Sequence, residues 1–132
     1  MSGVPAVSVV VVTWERRELL ARCLASLARQ TFRDFDVVVV DNGSSAGTAA
    51  FVRSLYRPEI RMVELPEHRG FTARCNAGIA ASSGRYVATL NNDAEAEPGW
   101  LAALVAALEA DPRLGMGASK ILYHADRRYI DK

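Results

Sequence analysis

The sequence predicts a single open α/β domain, a mostly parallel sheet with helices on both faces. Three observations predict it. Val7-Ser8-Val9-Val10-Val11-Val12 and Phe35 to Val40 are nearly continuous apolar, β-branched runs, without the polar alternation of a strand that faces water on one side. Strand-like and helix-like segments alternate four times, with neither a repeat nor a linker between them. Polar clusters follow directly on three of the strands, at the end of an open α/β sheet where ligands bind.

Each element has its own signal. After the first strand stops at Thr13, Leu20, Cys23, Leu24 and Leu27 recur at the spacing of one helix face. The second strand runs into Asp41-Asn42-Gly43-Ser44-Ser45, where Gly43 can take positive φ and Ser44 or Ser45 can cap a short helix carrying Phe51, Val52 and Leu55. Arg61 to Leu65 is a weaker third strand and Pro66 to Gly70 a loop. Phe71 to Ser82 reads as a helix closed by Gly84. Tyr86 to Leu90 is the fourth strand, followed without a gap by Asn91-Asn92-Asp93. Pro98 is expected in the first turn of another helix, with Leu101, Leu104, Val105 and Leu108 facing inward and Asp111-Pro112 ending it. Met116 to Tyr123 reads as a fifth strand, and Arg128 to Ile130 as the start of a further element.

Composition narrows the function. With 132 residues the chain makes one domain, and 50% apolar residues suffice for one core. A net charge of +1, with Arg and Lys scattered, excludes nucleic acid as the expected partner. Cys23 and Cys75 lack CxxC or metal spacing and are expected as free thiols in a reducing compartment. No apolar run is long enough to span a bilayer, and no basic segment precedes the first strand as in a signal peptide. The expected location is cytoplasmic, with peripheral attachment to the inner face of a membrane through other parts of a longer protein.

Thr13-Trp14-Glu15, Asp41-Asn42-Gly43-Ser44 and Asn91-Asn92-Asp93 converge on one rim if the strands are parallel. A carboxylate at Asp41 can accept hydrogen bonds from a base or from ribose hydroxyls; the structural alternative is an Asx-turn that caps the next helix. Asn91-Asn92-Asp93 puts an oxygen-rich cluster at a strand end, suited to a hard cation such as Mg²⁺ or Mn²⁺ that completes its shell with water and diphosphate. The alternative is a loop that caps the helix near Pro98. Gly70 permits close backbone approach before a helix N-terminus, where Arg69 or Arg74 can assist a phosphate and Asn76 can fix the loop or touch the nucleotide. Trp14 and Trp100 are expected to pack, the alternative for Trp14 being an aromatic wall of a base pocket beside Thr13, and His68 and His124 have no partner at ligand spacing.

These motifs, taken in order, resemble the inverting family-two glycosyltransferases of the Rossmann-like GT-A fold, in the branch that holds rhamnosyltransferases and other cell-surface polysaccharide enzymes. The matching stretches are Val9-Val10-Val11-Val12-Thr13-Trp14, Val39-Val40-Asp41-Asn42-Gly43-Ser44-Ser45, Arg69-Gly70-Phe71 with Arg74 and Asn76-Ala77-Gly78, and Leu90-Asn91-Asn92-Asp93. The resemblance implies that Thr13 and Asp41 bind the base and ribose of a nucleotide-diphosphate sugar. The expected donor-binding set is Thr13, Glu15, Asp41, Arg69, Gly70, Asn76 and Asn92. Asp93 stands at the last acidic position of the family's DxD-type motif, implying a Mg²⁺ or Mn²⁺ cofactor. Trp14-Glu15 departs from the more usual Tyr-Asn.

Enzymes of this kind continue well past the position of Lys132, so residues 1–132 are expected as the donor half of a C-terminally truncated domain. The general base and the site for a saccharide or lipid-linked acceptor are expected beyond it. Thymidine and uridine diphosphates are the favoured nucleotides. The alternative is an inactive nucleotide-binding module, or an assembly module that pairs as a homodimer through an open sheet edge. A nicotinamide dehydrogenase needs glycines after its first strand, which Thr13-Trp14-Glu15-Arg16-Arg17 lacks. A nucleotidyltransferase wants a Gly-rich first loop, and a response-regulator-like module wants acids there.

Overall fold

The computed structural model describes residues 4–43, 47–66 and 70–117. Its elements run β1 (Val7–Thr13), α1 (Arg17–Ala28), β2 (Phe35–Asn42), α2 (Thr48–Ser54), β3 (Ile60–Leu65), α3 (Phe71–Ala81), β4 (Tyr86–Asn91) and α4 (Trp100–Ala110). The four strands form one parallel sheet in the order β3-β2-β1-β4. The chain works outward from β1 to β3 and then crosses back to lay β4 on the other side of β1. That reversal opens a crevice between the carboxyl ends of β1 and β4.

Burial on both faces explains the β-branched runs. Val9, Val11, Val37 and Val39 pack on one face against Leu20, Leu24 and Leu27 of α1, Val52 of α2 and Leu101 of α4. Val10, Val38 and Val40 point to the opposite face, where Ala81 of α3 lies against them. All seven valines are 1% exposed or less, and each contributes roughly 1.5–3 kcal/mol on burial. A polar residue at any of them would be left without water or a partner.

Helix α3 reaches that second face because of Gly78. A Cβ built there would lie 2.3 Å from Val10 Cγ1 and 3.0 Å from Val40 Cγ2. Gly84 has a different role from the helix cap expected of it. The helix ends at Ala81, and Ser82 at its C-cap is extended. Gly84 instead lies flat against β1, donating its N–H to Ser8 Oγ at 2.9 Å, and a Cβ there would meet the Ser8 nitrogen at 2.5 Å.

Helix α4 starts two residues later than Pro98 suggests, with Gly99 at its N-cap. Its first-turn Leu101 N–H is capped by Gln30 Oε1 at 3.0 Å, from a residue at the end of α1. Of its expected stripe Leu101 is fully buried, and Leu104, Val105 and Leu108 are half-buried. Met116 and Gly117 are irregular; the rest of the expected fifth strand, the segment Arg128 to Ile130, His68, His124 and the caps Ser44 and Ser45 lie outside the described residues. Gly47, at φ 71, holds the N-cap of α2.

Among the described strands β3 is an edge. Pro58 and Pro66 bracket it, and its exposed Arg61 and Glu64 are ion-paired with Asp36 (3.0 Å) and Arg53 (2.8 Å). Flanking prolines and edge charges discourage strand addition. No helix among the described residues is long and apolar enough to cross a membrane.

Gly78→Ala is expected to lower stability by about 1–3 kcal/mol through overpacking against Val10. Gly115→Ala, whose Cβ meets nothing, should stay within about 0.5 kcal/mol of the parent. Urea unfolding followed by circular dichroism checks both.

Candidate functional site

Register decides what meets at the carboxyl rim. Thr13 pairs with Asp41 across β1 and β2, and Val12 pairs with Asn91 across β1 and β4. The three strands therefore end level. Thr13, Asp41 and Asn42 are all buried there, Asp41 at 6% exposure. Polar side chains buried at strand ends hold fixed positions, as a recognition surface requires. Beyond β2 the chain turns at Gly43 with φ 76, as its sequence anticipates.

Asn92 closes the crevice. Its Nδ2 donates to Thr13 Oγ1 at 3.2 Å, linking residues from the two strands that flank the reversal point. Asn92 and Asp93 occupy the middle of a tight turn, closed by the Ala94 N–H donating to the Asn91 carbonyl at 3.0 Å. Asp93 is exposed. It shares a groove of about 210 Å³ with Leu19 and Arg22 of α1 and with Glu95. Because Gln30 caps α4, the alternative in which Asp93 serves as a helix cap loses its basis.

After β1 the backbone turns at Glu15, which holds φ 63. A left-handed non-glycine residue costs about 1–3 kcal/mol and persists where surrounding structure imposes it. Trp14 is 45% exposed at this turn, so it is not the packing residue expected; β1 has left the core by then. Trp100 does pack, against the α1 side of the core.

Gly70 and Asn76 belong to the start and middle of α3, not to the three strand ends. Gly70 is the exposed N-cap of α3, and a Cβ added there would meet no atom of the described residues within 4 Å. Asn76 sits mid-helix on the exposed side of α3, whereas Gly78 faces the sheet. Arg69 lies outside the described residues.

Among the described residues no three His, Cys, Asp or Glu side chains gather as a metal cage. A hard divalent cation nevertheless fits Asp93, since such ions bind through one or two carboxylates and take water and phosphate oxygens for the rest. Burial first, then the charges of Asp93 and Glu95, pushes the Cys23 thiol up to about 12. Cys23 donates to the Asn91 carbonyl at 3.7 Å, and neither cysteine is in a disulfide.

Sequence reasoning passed over Ser26 and Gln30. Both are buried, Ser26 on the apolar face of α1 and Gln30 just past its C-cap, and both bond the segment that follows Asp93. Their signal was present: a polar residue on a buried helix face must find a partner.

A family model described as Glycosyl transferase family 2 matches residues 8–129. The chain belongs to that family. Validoxylamine A glucosyltransferase of Streptomyces hygroscopicus is 38% identical over 112 residues, covering 80% of this chain and 26% of the relative. The succinoglycan biosynthesis protein ExoO of Rhizobium meliloti is 33% identical over 107 residues, covering 81% of this chain and 31% of the relative. Among solved structures, the mannosyltransferase PcManGT of Pyrobaculum calidifontis, in complex with GDP-Man and Mn²⁺, matches with a TM-score of 0.76 at 31% identity. That match covers 86% of this chain and 35% of the other. The family-two chain thus has the GT-A-type α/β sheet, and spans between about a quarter and about a third of the length of these relatives.

The Cys23 shift makes a testable statement about pH. Its folded value lies above the ordinary thiol value of 9.0, so its contribution to stability is complete below about pH 9 and is lost as pH rises toward 12. In the folded protein at pH 8, iodoacetamide is expected to label half-buried Cys75 and to spare Cys23 until denaturant is added; peptide mass spectrometry reads the difference.

Proposed function

We propose that this chain forms the donor-binding part of a glycosyltransferase that moves a sugar from a nucleoside diphosphate to an acceptor hydroxyl. One observation carries the reading. Thr13 and Asp41 are register partners, Asn92 bonds Thr13, and Asp93 is the next residue along. Groups suited to a nucleoside and a group suited to a cation thereby share one rim.

In this reading Thr13 and Asp41 hold the base and ribose, with Trp14 and Glu15 at the edge of that pocket. The backbone at Gly70, with Arg69, meets the diphosphate; Asn76 supports that loop from α3. Asn92 joins the nucleoside side to the metal side, and Asp93 holds Mg²⁺ or Mn²⁺. A bound cation supplies Lewis-acid neutralisation of the departing diphosphate. The Mn²⁺ and GDP-Man in the mannosyltransferase complex support this use of the fold.

Finer features of the reading are inversion at the sugar carbon, a thymidine or uridine diphosphate carrier, and a rhamnosyltransferase-like donor. Inversion requires a carboxylate that takes the proton of the acceptor hydroxyl. We assign that base, and contacts to a saccharide or lipid-linked acceptor, to the portion of the relatives that this chain does not span. The sheet edge on which the assembly reading depends, near Arg127-Arg128-Tyr129, lies outside the described residues.

Calorimetry with UDP, TDP and GDP, each with and without Mn²⁺, tests the proposal. The expected result is nucleotide binding that Mn²⁺ strengthens. Asp93→Ala should lose about 10–100-fold in the presence of Mn²⁺ while its circular dichroism stays unchanged. Binding indifferent to Mn²⁺, or none for any of the three, overturns it.

A further inference from the structure

The segment after β4 is anchored at both ends and turns its two acids outward in the middle. Upstream, Asn91 is paired into the sheet, its carbonyl accepts from Cys23 Sγ, and Asn92 bonds Thr13. Downstream, α1 and the residues just past its end grip the chain, chiefly through the buried side chains Ser26 and Gln30. Ser26 Oγ donates to the Cys23 carbonyl at 2.6 Å and accepts the Ala96 N–H at 3.0 Å. Gln30 Nε2 donates to the Glu97 carbonyl at 2.7 Å and to the Ser26 carbonyl at 3.3 Å, while its Oε1 accepts from Leu101. The Thr31 N–H donates to the Pro98 carbonyl at 2.9 Å. Only Asp93, Ala94 and Glu95 lie between the two anchors, and both acids are exposed at the groove.

From this arrangement we infer that Ser26 and Gln30 are positioning residues for the Asp93 carboxylate, acting through the backbone they fix. The inference rests on the donor-binding reading above. A single protein carboxylate supplies few bonds to a cation, so its affinity depends on holding that oxygen where the diphosphate can complete the shell. A loop free to move would spend its bond energy on ordering itself at each binding event. Ser26 and Gln30, at 0% and 2% exposure, remove that freedom in advance. Neither side chain lines the groove at Asp93.

The experiment measures UDP affinity across a Mn²⁺ titration, and in the absence of metal, for the parent, Ser26→Ala, Ser26→Thr and Gln30→Glu. Ser26→Ala removes the acceptor for Ala96. It is expected to raise the apparent Mn²⁺ dissociation constant about 10–100-fold, as loss of a supporting shell does, and to leave metal-free UDP binding within about twofold. Ser26→Thr keeps the hydroxyl and should bind as the parent does. Gln30→Glu keeps the acceptor for Leu101 but loses the donor to Glu97, and carries the same expectation as Ser26→Ala should that variant fail to fold. A folded Ser26→Ala with parental Mn²⁺ affinity overturns the inference and leaves the donor-binding reading standing. Equal losses with and without metal overturn it too, since they mean general loosening. A parent that binds no metal with its nucleotide overturns both.

Discussion

Thr13 lies opposite Asp41, and Val12 opposite Asn91. That parallel register is held by seven valines packed on both faces of β1 and β2, and the rest of the site depends on it. A slip of one residue would turn every inward valine to the other face, so the packing of α1 and α3 fixes the register strongly. What the register delivers is proximity. Residues far apart in the chain end level, at the reversal point where β1 and β4 part.

From there the structure works by short links. Asn92 ties the end of β4 to the end of β1, and α1 ties the segment beyond Asp93 back to the core. Thr13, Ser26 and Gln30 in these ties are buried, where an unsatisfied polar group would cost about 1–3 kcal/mol. Helix α1 therefore serves the apolar core with its leucines and the rim with Ser26, and Gln30 just past its end adds to the second tie. Exposed ion pairs such as Arg53 with Glu64 add little by comparison.

Much of this was legible in the sequence. The strands could be read because burial on both faces demands unbroken apolar runs, and Gly43 announced its turn. The polar residues after Val12, Val40 and Leu90 could be placed on one rim because parallel strands share an end. Long-range effects were not legible. Pro98 is a strong local helix signal, yet α4 begins after it because its cap comes from Gln30, 71 positions away from Leu101. Gly84 resembles a helix cap locally, but serves as a flat contact against β1. Trp14 carries the composition of a packing residue, but the chain leaves the core at Glu15 before its ring can be covered. Asn76 belongs to the family pattern and sits on the open side of α3.

The central claim is that Asp41 and Asp93 address one bound metal–nucleotide. Mn²⁺ is paramagnetic and broadens the NMR signals of nearby amides, so its position can be read directly. With UDP present and Mn²⁺ added at substoichiometric levels, broadening is expected around Asn92 to Ala94, with weaker effects reaching Thr13 and Asn42. Broadening confined to the acids beside β3, such as Glu59 and Glu64, with the rim amides left sharp, would contradict it.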